Sequence, residues 1–143
     1  MLVEKFKEIT NEIGWSFNYG KVHWQNLQDL PEDSELPFEE RSKYFLLLYK
    51  DRDFKFDKYS SIIGFDYHGE AVLSVRSSLT DKDYNYKYEV HISKLEEEVS
   101  KMFEKFNICD NWNIKRWKEV EVENQFAPNL DGLKIQFTFS YER

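Results

Sequence analysis

Leu133-Lys134-Ile135-Gln136-Phe137-Thr138-Phe139-Ser140-Tyr141 alternates without a break between apolar and polar side chains. A period of two belongs to a strand with one buried face and one wet face. Such strands are the units of an antiparallel sheet covered on one side only. Immediately upstream, residues 114–124 alternate as well. Val120 and Val122 fall on one side, and Glu119, Glu121 and Glu123 on the other. The link between the two, Gln125 to Gly132, carries Pro128, Asn129, Asp131 and Gly132 and predicts a loop or wide turn. The chain therefore closes with two strands.

Further upstream the period changes. Ile92, Leu95, Val99, Met102, Phe103 and Phe106 recur at helical spacing. Ser93 with Glu96 forms a capping-box pattern. Glu96, Glu97 and Glu98 precede Lys101 and Lys105, an order that suits the helix dipole. A second helical stripe, Leu2, Phe6, Ile9 and Ile13, opens the chain and stops at Gly14. Between the helices the sequence predicts strands. Residues 15–24 alternate, with a bend at Gly20. Tyr44 to Tyr49 is a short apolar run fit for a strand covered on both faces. Residues 62–67 and 71–79 read as two strands joined by a tight hairpin at His68-Gly69-Glu70. Residues 25–42, with Pro31 and Pro37, read as an exposed loop.

This order predicts an α+β fold in one domain over residues 1–143. Its mostly antiparallel sheet of about five to six strands carries an N-terminal helix and a second helix packed on one face. The other face is left to water or to a partner.

The bulk numbers agree with a folded body. A chain of 143 residues buries roughly 70% of its unfolded surface. The aromatic content, 17%, is far above that of disordered chains. Twenty basic against 27 acidic residues give a net charge of −7. That balance argues against a dedicated nucleic-acid binder, sequence-specific binding included, and against docking on an anionic membrane. No apolar run approaches the roughly 20 residues of a membrane helix. Met1-Leu2-Val3-Glu4-Lys5 lacks a signal-peptide pattern. The expected place of action is a cytoplasm, or a particle assembled in one.

Little in the sequence points to a reaction centre. Cys109 is the single cysteine, so no intramolecular disulfide can form, and it reads as a small buried hydrophobe. His23, His68 and His91 lack metal-ligand spacing and read as surface or turn histidines. No catalytic residue, metal site or cofactor site is expected. The carboxylates Asp66, Glu70 and Glu119 to Glu123 are of a type that could serve acid–base chemistry. Their alternation reads more simply as a solvated strand face.

Two aromatic segments stand out. Residues 50–61, Lys-Asp-Arg-Asp-Phe-Lys-Phe-Asp-Lys-Tyr-Ser-Ser, join two predicted strands and set Phe54, Phe56 and Tyr59 among charges. Tyr84, Tyr86 and Tyr88 lie on one side of an extended segment. Aromatic anchors of this kind serve cores or protein interfaces. Residues 50–61 read equally as a long solvated hairpin or, as a function, as an arm reaching a neighbouring subunit.

Asn124-Gln125-Phe126, then Asn129-Leu130-Asp131-Gly132-Leu133, then Ile135-Gln136-Phe137-Thr138-Phe139 resembles a pattern of phage and prophage proteins of the Bacteroidota. There a strand ending in Asn-x-Phe leads through an Asn/Asp-rich turn to Leu-x-Gly-aromatic and a closing strand. Leu133 stands where that pattern has its aromatic residue. The order of helix, strands, helix and closing hairpin is similar to tail-terminator and tail-completion proteins of tailed bacteriophages. The resemblance implies a non-enzymatic subunit of a homo-oligomeric ring at the phage neck or tail. It would sit in the virion against other neck and tail proteins, with Phe126 and Leu130 joining the interface candidates. DNA would pass through the lumen. The rival readings are an acidic monomeric adaptor or inhibitor of another protein, and a small carboxylate enzyme.

Overall fold

The computed structural model describes residues 2–20, 37–76, 91–107, 111–125 and 130–143, and the side chains of all of these except 123–125 and 130. Helix α1 spans Leu2–Glu12, strand β1 Ser16–Tyr19, β2 Lys43–Phe56, β3 Ile62–Arg76, helix α2 Ser93–Asn107, β4 Trp112–Gln125 and β5 Leu130–Glu142. A single 3-10 turn, Phe38–Glu40, precedes β2. The five strands form one sheet in the order β1-β2-β3-β5-β4. Every neighbouring pair is antiparallel except β1 with β2, which is parallel. The fold is α+β, with two helices and a mostly antiparallel sheet.

Gly14, at φ 83°, ends α1 in the left-handed region where a side chain would be strained. The chain then turns at once into β1. Leu2, Phe6 and Ile9 of α1 and Leu95, Val99, Met102 and Phe106 of α2 are buried on one sheet face. Phe6 sits at the centre of this layer. Its ring lies 5.1 Å from Phe45, 5.6 Å from Phe106 and 5.4 Å from both Phe137 and Phe139. Truncating a ring so enclosed costs about 3–5 kcal/mol. The β5 alternation places Leu133, Ile135, Phe137 and Phe139 in this layer, as its period requires.

Four expectations are corrected. His68-Gly69-Glu70 is no hairpin: residues 62–76 form one strand, paired along its length with β2 and β5. Gly69 answers a close approach, since a Cβ there would strike the Tyr49 carbonyl oxygen and come within 2.7 Å of Phe137 Cζ. Residues 50–56 are not a connecting segment but the second half of β2, and only 57–61 turn. The predicted loop before β5 ends sooner, because Leu130 to Gly132 already pair with β3. Last, the second sheet face is not wet throughout. Tyr44, Leu46, Val72 and Ser74 lie on it and are buried. The apolar run from Tyr44 is thus covered on both faces up to Leu47, while the far end of the sheet is open.

Candidate interaction surface

Beyond Leu47 the β2–β3 hairpin runs on without β1 beside it, since β1 pairs only with Tyr44 to Leu47. The hairpin ends in a turn built by Asp57. Its Oδ1 accepts from the Tyr59 and Ser61 amides at 2.8 and 3.0 Å, and Ser60 takes a positive φ of 64°. This Asx arrangement fixes the tip. On it Phe54, Phe56 and Tyr59 are exposed by 46, 55 and 77%, with Ile62 and Ile63 beside them. Phe54 stands 5.3 Å from Phe65 and 6.1 Å from Phe56, so the rings form one cluster rooted in the core. Residues 50–55 are therefore the free edge of the sheet, with β3 and β5 behind them as far as Gly64, and only the tip around 56–62 runs past β5. Of the predicted interface residues, this brings together Phe54, Phe56 and Tyr59. Leu130 opens β5 at the opposite end of the sheet. Tyr84, Tyr86, Tyr88 and Phe126 lie outside the described residues.

Charge on this hairpin is sorted by face. A register shift between Leu47 and Tyr49 resets the alternation. Lys50, Arg52 and Phe54 then share the helix-side face with Tyr67 and Phe65, while Asp51, Asp53 and Lys55 share the open face. The Arg52 guanidinium lies 4.7 Å from the ring centres of both Phe54 and Phe65, and that of Arg143 lies 5.9 Å from Phe65. Lys50 Nζ is 5.7 Å from the Tyr67 ring. On the open face Lys55 contacts Ser140, Asp66 at 3.2 Å and Glu142 at 3.7 Å. Burial would raise the Asp66 carboxyl, but the Lys55 ammonium and the Ser140 hydroxyl outweigh it and hold the group below its ordinary value. His68 there meets Thr138 at 3.0 Å and Asp53 at 3.4 Å.

Strand β4, at the far edge, has the reverse sorting, and this corrects the predicted wet face. Another register shift, between Ile114 and Arg116, turns both Ile114 and Trp117 toward the helices. Trp117 packs edge-on against Phe103 of α2 at 4.9 Å. That large ring sets the parity, so Glu119 and Glu121 follow it onto the helix side, opposite Ile135 and Leu133. Val120 is left on the open face, 49% exposed. Burial raises the Glu119 carboxyl above its ordinary value, and Glu96 of α2 adds to the rise. The hydrogen bond from Trp117 Nε1, at 2.8 Å, offsets part of it.

The carboxylates considered for chemistry are not brought together. Asp66 and Glu70 are on the open face, where Glu70 meets Gln136 at 3.3 Å. Glu119 is on the other face. His91 is no surface or turn histidine but is fully buried. Its Nδ1 lies 2.9 Å from Asp131 Oδ2 and its Nε2 lies 2.5 Å from Arg41 Nη1. A guanidinium only donates, so Nε2 accepts and the Nδ1–H donates to Asp131. This chain of three ties the start of α2 to β5 and to the segment before β2. Its members are 50 and 40 residues apart in sequence, so no local spacing announces it. His23 and Cys109 lie outside the described residues. Among the described residues no group of three His, Cys, Asp or Glu side chains is placed to hold a metal ion, and no helix is long and apolar enough to cross a membrane.

No protein-family model matches the chain, and no curated protein sequence matches it.

Proposed function

We propose that this chain is a non-enzymatic structural subunit that works by assembling with copies of itself and with other proteins. Its sequence resemblance supplies the setting: a ring at the neck or tail of a tailed phage, carried in the virion. The observation that carries the reading is the hairpin tip. Phe54, Phe56, Tyr59, Ile62 and Ile63 are all exposed at the end of the β2–β3 hairpin, and Phe54 and Phe56 lie ring to ring at 6.1 Å. Clustered apolar exposure of this kind marks protein contact, and rigid aromatic anchors lose little entropy on binding. A ring requires heterologous contacts that close, so each subunit needs a projecting part and a different receiving part.

The test is mass and shape. Light scattering on purified protein is expected to give a large multiple of 17.4 kDa, and electron microscopy a closed ring. The net charge of −7 favours a second reading, a monomeric adaptor that captures a basic partner with fast, salt-sensitive association. A single 17.4 kDa species that binds a basic protein would select it.

A further inference from the structure

The two edges of the sheet carry opposite charge on the same face. On the helix side, β2 presents Lys50 and Arg52, with Arg143 close by over Phe65. None of the three makes an ion pair among the described residues; each rests on an aromatic ring instead. On the helix side of the other edge, β4 presents Glu119 and Glu121, and Trp117 beside them packs on Phe103 of α2, two helical turns along the same face from Glu96. One edge is rich in cations and the other in anions.

We infer that the cationic, aromatic helix-side face of the β2–β3 hairpin docks on the acidic β4–α2 corner of a second copy, forming the head-to-tail joint of the assembly. This rests on the assembly reading above and specifies which surfaces meet. Lys50 and Arg52 would face Glu119 and Glu96 across the joint, and Phe54 would lie against the apolar flank of Trp117. Arginine stacked on a ring keeps its N–H groups directed outward, suited to carboxylates. The occupant is a second copy because this chain supplies both halves of the complementary pair.

Symmetric pairing is disfavoured by the same sorting. A two-fold joint between hairpins would set Lys50 and Arg52 against themselves, and one between β4 edges would set Glu119 against its own copy. Like charges directly opposed are destabilising. Nor does β4 simply add to β2 as a further strand. Its fourteen residues are longer than the free half of β2, and β1 fills the line beside Tyr44 to Leu47, so β4 could not pair along its length. The contact is made through side chains, and the interface is heterologous, as a closing ring requires.

Charge exchange tests this. The variants Lys50→Glu/Arg52→Glu and Glu96→Lys/Glu119→Lys are each compared with the wild type by native mass spectrometry and light scattering. Each alone is expected to lose association about tenfold or more, since opposite-charge contacts become like-charge ones. The fourfold variant, and an equimolar mixture of the two double variants, are expected to recover it, which excludes misfolding as the cause. Double variants that assemble like the wild type, or a fourfold variant and mixture that fail to recover, overturn this joint while leaving assembly intact. A wild type and a mixture that both remain at 17.4 kDa overturn the assembly reading itself.

Discussion

Asp131 has no exposed surface, and its bonded neighbour His91 has none either. A buried carboxylate deprived of its donor, or a buried donor deprived of its carboxylate, bears most of its desolvation cost uncompensated. Asp131→Ala is therefore expected to lower the unfolding free energy by about 3 kcal/mol in urea titration. Asp131→Asn should cost clearly less, because its carbonyl can still accept from His91 Nδ1. Equal losses in the two variants would deny that this hydrogen bond matters. Glu119 makes a prediction in pH. Burial raises its carboxyl in the folded chain, so the folded state holds the proton more tightly than the unfolded one. Its contribution is most favourable below the ordinary glutamate range and declines as pH rises through the raised value. In dilute monomer, Glu119→Gln should thus gain stability relative to wild type as pH rises from about 4 to about 7. Asp66 runs the other way: its carboxyl is held low, so its contribution is present above the ordinary aspartate range and lost on acidification. Opposite slopes for Glu119→Gln and Asp66→Asn in pH-dependent denaturation would bear out both signs.

At the scale of elements, the two helices and β5 were readable because their periods run unbroken for nine residues or more. Strand β2 was readable only as far as Tyr49, and β4 was readable as extended but not in its sidedness. Each contains a register shift, after Leu47 and after Ile114, and one extra residue reverses which side chains face inward. In β4 the alternation of Val with Glu therefore pointed the wrong way, and the Trp117 ring decided the matter by packing on Phe103. The buried chain of Arg41, His91 and Asp131 was not readable at all, because it depends on tertiary neighbours. Of the interaction surface, the aromatics Phe54, Phe56 and Tyr59 were legible as unusual among charges and residues 50–61 as a long hairpin, while the extension of β2 through Phe56 was not. Gly69 was read as a turn because glycine serves turns and close approaches alike. The strand assignment makes a test. Gly69→Ala should destabilise the fold by about 1–3 kcal/mol, because the added Cβ meets backbone that cannot give way. A change under a few tenths of a kcal/mol would argue against the close approach of the Tyr49 carbonyl and Phe137 that the continuous strand imposes at this position.

At the scale of the whole molecule, stability and assembly should separate. The helix layer and the proximal sheet hold the buried rings, with Phe6 at their centre. The hairpin tip lies at the other end, where Phe56 and Tyr59 are more than half exposed. Exposed rings contribute little to folding, and substitutions at such positions usually stay within about 0.5 kcal/mol. Their apolar area is available to a neighbour, where anchors of this kind commonly contribute about 2 kcal/mol or more each. The double variant Phe56→Ser/Tyr59→Ser should accordingly keep the wild-type urea midpoint yet show weaker self-association or weaker binding to a neighbouring protein. Phe6→Ala should do the reverse, lowering the midpoint sharply, with any assembly lost only as the fold is lost. Measured side by side, the two variants distinguish an arm that joins subunits from one that merely covers core. If the tip variant unfolds earlier while associating normally, the hairpin belongs to the stability of a single chain, and the contacts that build the assembly lie elsewhere.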